Sequence, residues 1–241
     1  MAQFIYGRNT VSSALKESKV KKLFLQSNFS DSKLLSLVKS TNIKVEYKSS
    51  NELTKLANGG NHQGIIAEIA DYSYIGLNEL IKKSKKKEYP LIVMLDGISD
   101  PHNLGAILRS ADAFGADGII VKKHGQAPLN ATVAKVSTGA IDFVPVCQVT
   151  NLTQAIKELK DEGFWIVSSD GKANLDLNQL DYKFPTVLIV GSEGEGVSRL
   201  VLQNSDYITK INMVGHVNSL NASVACALFL AQIYNSRNPV K

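Results

Sequence analysis

The chain has 241 residues, of which 44% are hydrophobic and 20% are charged, and these values exclude a disordered or collagen-like protein. Its 27 basic and 22 acidic residues give a net charge of +5, which suits a polyanionic partner. The longest apolar runs, such as 91–95, are far shorter than the roughly 20 residues of a membrane-spanning helix, so we expect no membrane span. No export signal is visible in the first ten residues, and this favours the cytoplasm.

The first 70 residues alternate helical and extended patterns. Helically spaced apolar residues predict two helices, namely Val11, Ala14 and Leu15 in the first and Leu34, Leu35 and Val38 in the second. Extended patterns predict strands at 20–25, 43–47 and 64–69. Ser49 and Glu52 have the spacing of a capping box, which predicts a third helix ending near Ala57. Residues 1–70 are therefore expected to form a small α/β domain with its own core.

The segment 71–90 differs in composition from its neighbours, because five of its residues between 82 and 87 are lysines and few are apolar. We predict that it is a linker helix with a solvated face. Near a polyanion, such a charge run would add salt-sensitive affinity.

From residue 91 onward the predicted strands become continuous apolar runs, at 91–95, 118–121, 143–146, 165–167 and 186–190. Helical patterns, as at 106–114 and 152–159, separate them. Strands that are buried on both faces and connected by helices predict a parallel sheet in a domain spanning 91–241. Ligands of such sheets bind at the carboxyl ends of the strands.

Three loops at these strand ends carry candidate functional residues. In the first, Asn103 has the position of a helix N-cap and Arg109 follows it on the same predicted helix. The chain has only four arginines among its 27 basic residues, so a retained arginine is a candidate for work that needs a planar donor group. A cap followed by an exposed arginine would explain the same pattern.

The second loop, GSEGEG at 191–196, superficially resembles a phosphate-binding loop. The lysine that such a loop needs is absent, because Val197 and Ser198 follow, and Glu193 and Glu195 would repel a triphosphate. A ligand approached closely by the backbone and a purely structural glycine turn are both compatible with this sequence.

The third segment, 211–225, brings polar side chains to the start of a long apolar helix. Asn218, Ser219 and Asn221 lie where free backbone N–H groups gather, and a single asparagine would suffice as a cap. Three polar side chains favour a binding site. The sequence offers no metal site, since Cys147 and Cys226 lie far apart in apolar surroundings and are typical of buried thiols.

Together these segments resemble the three motifs of the SpoU (TrmH-type) branch of the SPOUT RNA methyltransferases. The motifs are DPHNLGAILRSADAFG at 100–115, IVGSEGEG at 189–196 and INMVGHVNSLNASVA at 211–225. The resemblance extends to LNATVAKVSTGA at 129–140, IYGRNTV at 5–11 and HQGIIA at 62–67. The sequence departs from the family at Asn212, where proline is common, and at Ala222, where valine is common.

The resemblance implies an L30e-like RNA-binding domain followed by a SPOUT domain with a parallel sheet and a deep trefoil knot. It also implies a homodimer that transfers a methyl group from S-adenosylmethionine to the 2′-hydroxyl of a guanosine in 23S ribosomal RNA. The resemblance implies that Gly191, Ile211 and Leu220 bind the cofactor. Met213 is added to them because the three loops offer apolar side chains suited to an adenosine, and Arg8 is a candidate for RNA binding. The implied catalytic residues are Asn103, Arg109, Glu193, Ser219 and Asn221.

The family gives the role of base to the arginine that matches Arg109, although a guanidinium is expected to stay protonated in a protein. Arg109 could instead bind the adjacent phosphate and lower the pKa of the 2′-hydroxyl through its charge. We expect Asn103 and Glu193 to orient Arg109 and the loops. Ser219 and Asn221 are expected to position the ribose or the carboxylate end of the cofactor.

Three other functions are compatible with parts of the sequence. The first is methylation of a transfer-RNA ribose, which the shared motifs do not distinguish from methylation of ribosomal RNA. The second is RNA binding without catalysis, which would require a decayed motif set, whereas all five implied catalytic residues are present. The third is a nucleotide-dependent enzyme, and the missing phosphate-loop lysine disfavours it.

Overall fold

A computed structural model describes residues 3–16, 19–69 and 72–239. The chain divides into two compact units, Met1–Tyr72 and Ser73–Lys241. Each unit has its own sheet.

The first unit is a four-stranded mixed sheet with three helices. Its elements are β1 (Gln3–Tyr6), α1 (Arg8–Lys16), β2 (Val20–Gln26), α2 (Ser32–Lys39), β3 (Lys44–Lys48), α3 (Ser50–Leu56) and β4 (Ile65–Ile69). The strand order is β1-β4-β2-β3, and β4 is antiparallel to both of its neighbours while β2 and β3 are parallel. The predicted capping box is present at the start of α3, where the side chains and backbone N–H groups of Ser49 and Glu52 bond reciprocally.

The second unit is built on a seven-stranded sheet in which every pair is parallel. Its order is β7-β6-β5-β10-β8-β11-β9. The elements are α4 (Leu77–Ser84), β5 (Leu91–Asp96), α5 (Pro101–Ala113), β6 (Gly118–Lys122), α6 (Ala131–Ser137), β7 (Val146–Val149), α7 (Leu152–Asp161), β8 (Trp165–Ser169), β9 (Leu175–Asp176), β10 (Thr186–Gly191), α8 (Arg199–Gln203), β11 (Tyr207–Lys210) and α9 (Ala222–Arg237).

The predicted α/β class and parallel sheet are confirmed. Every residue of the central strands β5 and β10 is buried, as their continuous apolar sequences predict. The trefoil knot implied by the resemblance stays a prediction.

The segment predicted as a linker forms the expected helix, α4, but this helix contributes to the core of the second unit. Leu80 and Ile81 are buried in the same hydrophobic cluster as strand residues of the large sheet. The five lysines lie on an exposed face, as expected, and three of them form surface ion pairs, Lys83 with Glu79, Lys85 with Glu162 and Lys87 with Asp117.

One strand lies elsewhere than predicted. The apolar segment 143–146 was expected to form a strand, whereas β7 is Val146–Val149 and a short 3₁₀ helix occupies Ala140–Asp142. The Phe143 side chain is 77% exposed, and Pro145 has no N–H for a strand ladder. The apolar pattern therefore begins three residues before the strand does.

The two cysteines are free and buried, as predicted. Burial raises the pKa of the Cys147 thiol to about 11 and that of the Cys226 thiol to about 12. Among the described residues there is neither a helix that could span a membrane nor a cluster of side chains that could hold a metal ion.

The C-terminal end of α9 is tied to distant parts of the second unit by one side chain. The Arg237 guanidinium donates hydrogen bonds to the backbone oxygens of Tyr89, Tyr182 and Phe184 at 2.7 to 3.0 Å, and to Thr186 Oγ1 at 2.9 Å. These acceptors lie just before or at the start of β5 and β10. Arg237 thus fastens α9 to the segments that enter the two central strands.

Candidate active site

The loops that follow β5 and β10 lie side by side, because these strands are neighbours and Gly191 is in register with Asp96. Asp96 is buried, and its Oδ2 accepts a hydrogen bond from the backbone N–H of Ser198 at 2.9 Å. This bond anchors the far end of the glycine-rich loop, 191–198, to the end of β5.

The glycine-rich loop is closed on itself. The Gly196 N–H donates to the Ser192 oxygen at 2.9 Å, and Gly196 has a positive φ of 67°. A Cβ atom at Gly191 would collide with backbone atoms of Gly196 and Val197. Position 191 therefore requires glycine because the loop backbone returns across it.

Asn103 is not the N-cap that the sequence predicts. Asp100 caps α5 by accepting a hydrogen bond from the His102 N–H at 2.8 Å, and Pro101 occupies the first helical turn. Asn103 lies within that turn, and its side chain is therefore free to bond outside the helix.

Asn103, Glu193 and Asn221 form one hydrogen-bonded cluster. Glu193 Oε1 accepts hydrogen bonds from Asn103 Nδ2 at 3.1 Å, from the Ala222 N–H at 3.3 Å and from Asn221 Nδ2. Asn221 Nδ2 also donates to Asn103 Oδ1 at 3.0 Å. The cluster joins the loop after β10 to the first turns of α5 and α9.

Asn221 is both the N-cap of α9 and a member of this cluster. Its Oδ1 accepts hydrogen bonds from the N–H groups of Ser223 at 3.0 Å and Val224 at 3.3 Å, while its Nδ2 binds Glu193. The Glu193 carboxylate lies at the positive end of α9, where negative charge is favourable. The cap is therefore present, and the role of Asn221 in a site stays a prediction.

A pocket of about 170 Å³ lies beside the cluster, at the carboxyl ends of β8, β10 and β11. All four residues predicted to bind the cofactor line it, and so do Ser219 and Glu193. The lining residues named by the sequence are Gly191, Glu193, Ile211, Met213, Asn218, Ser219 and Leu220.

Sequence reasoning missed one wall of this pocket. Ser169 ends β8, Asp170 and Gly171 follow it, and Lys210 ends β11. All four line the pocket, together with Phe229 of α9. The sequence could have indicated Ser169, Asp170 and Gly171, because β8 was predicted and ligands of parallel sheets bind at strand ends. The contribution of β11 could not be found in the same way, since that strand was not predicted.

Arg109 is not part of the cluster. It is exposed on α5, it does not line the pocket, and no hydrogen bond or ion pair joins its side chain to another described residue. It follows Asn103 by six positions, which turns its side chain about 120° away around the helix axis. Within one chain, Asn103 and Glu193 therefore bind Asn221 and Ala222 and do not bind Arg109, contrary to the expectation that they orient it.

Two family models match the two units. The model of the SpoU rRNA methylase family matches residues 90–231, which is more than half of the chain. A model described as RNA 2′-O ribose methyltransferase substrate binding matches residues 4–75.

Among curated proteins, YacO of Bacillus subtilis, assigned to the TrmH family of tRNA/rRNA methyltransferases, is 41% identical over 98% of this chain and 97% of its own length. Among solved structures, an AdoMet-bound rRNA methyltransferase from Sinorhizobium meliloti shares the fold, with a TM-score of 0.75, 24% identity and coverage of 100% of this chain and 88% of that chain.

A TrmH/SpoU tRNA-modifying enzyme from A. aeolicus is 32% identical, with a TM-score of 0.58, and the match covers 67% of this chain and 82% of that chain.

The family model and the full-length similarity to YacO agree with the fold and with the cluster of motif residues beside the pocket. The chain therefore belongs to the SpoU rRNA methylase family of S-adenosylmethionine-dependent RNA 2′-O-methyltransferases.

Proposed function

We propose that this chain transfers a methyl group from S-adenosylmethionine to the 2′-hydroxyl of a guanosine ribose in 23S ribosomal RNA, the activity of RlmB, which its motifs most resemble. The observation that carries the proposal is the position of Glu193. This residue lines the pocket and also holds the side chains of Asn103 and Asn221. A ribose next to the pocket would therefore meet an ordered set of polar groups.

The residues of the pocket fit the cofactor. Ile211, Met213, Leu220 and Phe229 supply apolar surface for an adenosine, and the strand ends supply backbone hydrogen-bonding groups. Lys210 and Asp170 offer charges of both signs, which suits the amino and carboxylate groups of an amino-acid tail. The glycine-rich loop itself carries no lysine for a polyphosphate. When bound, S-adenosylmethionine supplies a methyl group on a cationic sulfur.

The protein's own residues then have to place and activate the 2′-hydroxyl. A hydroxyl is a poor nucleophile until it loses its proton, and transfer requires the oxygen in line with the leaving bond. Ser219 lines the pocket and is assigned to positioning the ribose or the cofactor's carboxylate end. Asn103, Glu193 and Asn221 fix the loops around it, and Arg109 supplies positive charge at the phosphate beside the attacking oxygen.

A homodimer accounts for the position of Arg109 outside the cluster of its own chain. Val224 and Leu228 are four residues apart on α9 and are 47% and 44% exposed, which marks an apolar stripe suited to a partner. The stripe begins three residues after Asn221, so a second copy bound there would lie next to the active site. We propose that Arg109 acts in the site of the second copy.

The N-terminal unit favours ribosomal RNA over transfer RNA. The rRNA methyltransferase from Sinorhizobium meliloti matches 100% of this chain, whereas the tRNA-modifying enzyme from A. aeolicus matches 67%. The match to the tRNA-modifying enzyme is about as long as the larger unit of this chain, which spans 169 residues. It can therefore contain only one of the two units. The name of YacO covers both substrates. The experiment therefore has to distinguish methylation of ribosomal RNA from methylation of transfer RNA.

Mass-spectrometric mapping of ribose methylation tests the proposal. RNA from cells with and without the protein is digested, and 2′-O-methylated nucleosides are located in 23S ribosomal RNA and in transfer RNA. We expect one guanosine of 23S ribosomal RNA to lose its methyl group when the protein is absent, and to regain it when the wild-type gene is restored.

A chain with Glu193→Ala serves as the matched control, because it should express and yet fail to restore the methyl group. Loss of a methyl group from transfer RNA alone would show that transfer RNA, and not ribosomal RNA, is the substrate. If no ribose methylation changed in either RNA, the proposed activity would be refuted.

A further inference from the structure

The N-terminal unit contains a second concave site, of about 740 Å³, where the loop after β2 meets the loop before β4. Its lining includes Arg8, the Phe29 ring, the His62 imidazole and several amides, namely those of Gln26, Asn28, Asn61 and Gln63. No carboxylate is among the described residues that line it. This composition favours a ligand with a planar ring and polar edges.

The Phe29 ring is held in a defined position. A turn closes with the Phe29 N–H donating to the Gln26 oxygen at 2.9 Å. A Cβ atom at Gly64 would lie 3.0 Å from Phe29 Cδ2, and Gly64 has a φ of 79°, so only glycine allows the ring to pack there. The Phe29 ring therefore packs against Gly64 and forms a platform that lines the cavity.

Arg8 lies over this platform. Its Cζ atom is 5.4 Å from the centre of the Phe29 ring, and its Nη1 is 3.5 Å from Asp31 Oδ2. The Arg8 side chain is 48% exposed, so both contacts are weak and solvent-accessible. Arg8 can leave the ring for a phosphate without a large cost.

Gln63 presents a donor toward the same cavity. Its φ is 51°, a left-handed conformation that is uncommon for a residue other than glycine, asparagine or aspartate, and its Oε1 accepts a hydrogen bond from the Arg8 N–H at 3.0 Å. Within the described part of the chain, no acceptor is bonded to its Nε2. An uncommon backbone conformation beside a cavity is typical of ligand sites, and the exposed Gln63 amide, which lines this cavity, is available to a ligand.

His62 keeps the Gln63 loop in place. His62 Nδ1 accepts a hydrogen bond from the Gly64 N–H at 3.0 Å, and His62 Nε2 lies 3.3 Å from Thr54 Oγ1. The Thr54 hydroxyl in turn donates to the Ser50 oxygen at 2.9 Å. This chain of contacts ties the loop to helix α3, so the amides reach the cavity from a fixed backbone.

The charge of the molecule is concentrated on this unit. Residues 1–72 contain ten basic and six acidic residues, whereas residues 73–241 contain 17 and 16. The first unit thus carries +4 of the net charge of +5. An aromatic platform and amides inside a positively charged unit match the way proteins bind unpaired RNA bases, by stacking and by hydrogen bonds to the base edge.

We propose that this pocket binds one unpaired nucleobase of the substrate RNA. The base stacks on Phe29, its edge bonds to the amides of Gln63 and Asn61, and Arg8 contacts the neighbouring phosphate. The inference rests on the proposed RNA substrate but adds a second recognition site, separate from the methyl-transfer pocket. It makes the enzyme dependent on a single-stranded element of its RNA.

The experiment uses the full-length chain with Phe29→Leu, which keeps apolar contact with Gly64 and removes the stacking ring. The matched control is Tyr47→Leu, because Tyr47 is an exposed aromatic residue of the same unit that does not line the pocket. Binding is measured to an RNA hairpin with an unpaired loop and to a duplex of the same composition. We expect Phe29→Leu to weaken hairpin binding by about tenfold, with duplex binding and the Tyr47→Leu chain unchanged.

Arg8→Gln should lower the slope of log affinity against log salt by about 0.7 to 0.9, the loss of one phosphate contact, whereas Phe29→Leu should leave the slope unchanged. A hairpin carrying 5-iodouridine in its loop should cross-link to Phe29 under ultraviolet light. A cross-link elsewhere, together with equal hairpin affinities of wild-type and Phe29→Leu chains, overturns the inference.

Methyl transfer to 23S ribosomal RNA distinguishes this failure from failure of the proposed function. If the inference holds, Phe29→Leu raises KM for RNA and leaves kcat at saturating RNA unchanged, because Phe29 lies in the other unit from the transfer pocket. If wild-type and Phe29→Leu chains methylate with the same KM for RNA, the base pocket is refuted and the proposed methyltransferase function is not affected. If the wild-type chain does not methylate either RNA class, the proposed function itself falls.

Discussion

Glu193 shows how one carboxylate oxygen can organise a site made from three separate segments. It accepts hydrogen bonds from two asparagine side chains and from the first backbone N–H of α9. A neutral residue of similar size would lack the charge that strengthens bonds of this kind. The sequence alone left Glu193 open to a purely structural role in a glycine turn. For its partner Asn103 the sequence also allowed a cap, a role that Asp100 takes in the structure.

At Arg109 the proposed chemistry makes a direct prediction. Arg109→Ala should keep cofactor binding, because Arg109 does not line the pocket, and should slow methyl transfer by about 100-fold or more through loss of charge at the reacting phosphate. Calorimetry with S-adenosylhomocysteine and single-turnover transfer rates measure the two effects. Methyl transfer at the wild-type rate would place the active site elsewhere.

Arg109→Lys separates the two roles of this side chain. If Arg109 binds a phosphate through its charge, the lysine variant should be partly active, with the same slope of rate against pH as the wild-type enzyme. A slope that changes with the lysine variant would indicate that the guanidinium itself takes the proton.

On the scale of elements, the glycine-rich loop after β10 offers a matched pair of substitutions. Gly191→Ala places a Cβ against the returning backbone of Gly196 and Val197, whereas a Cβ at Gly194 meets open space. We expect Gly191→Ala to displace the loop and to lower the affinity for S-adenosylhomocysteine by tenfold or more, and Gly194→Ala to bind normally. Equal calorimetric affinities of the two variants would show that the loop tolerates the added atom and that its closure does not shape the pocket.

The elements that sequence reasoning predicted are those whose burial leaves a clear periodic signal. β5 and β10 are buried along their whole length, and continuous apolar runs are their signature. β11, Tyr207–Lys210, was not predicted because three of its four residues are only half-buried and its sequence lacks an apolar run. β9 has two residues, too few for any pattern. The pocket was accordingly predicted at the loops that follow β10 and β11 and missed at its β8 side.

For the whole molecule, the proposed homodimer predicts complementation between two inactive chains. Arg109→Ala and Glu193→Ala should each be inactive alone. If Arg109 acts in the site of the second copy, a heterodimer of the two has one intact site. Random mixing then restores about a quarter of wild-type activity, since half of the dimers are mixed and each carries one such site.

Light-scattering measurements of mass supply the control for this experiment. Leu228→Lys, on the exposed stripe of α9, should dissociate the dimer, whereas Leu200→Lys, at an exposed position of α8, should not. If the mixture stays inactive although the variants form dimers, Arg109 acts in the site of its own chain.

Because Arg237 fastens α9 to the segments that enter the central strands, the second unit is not completed until α9 has been synthesised. A ribosome makes the chain from its N-terminus at about 5 to 20 residues per second, so the first unit is available for folding long before the second is complete. Helix α9 is made after every other element of the described chain, yet it supplies Asn221 at one end and Arg237 at the other. If the first unit binds RNA as proposed, the growing chain can do so before α9 has been made, and thus before the methyl-transfer site is complete.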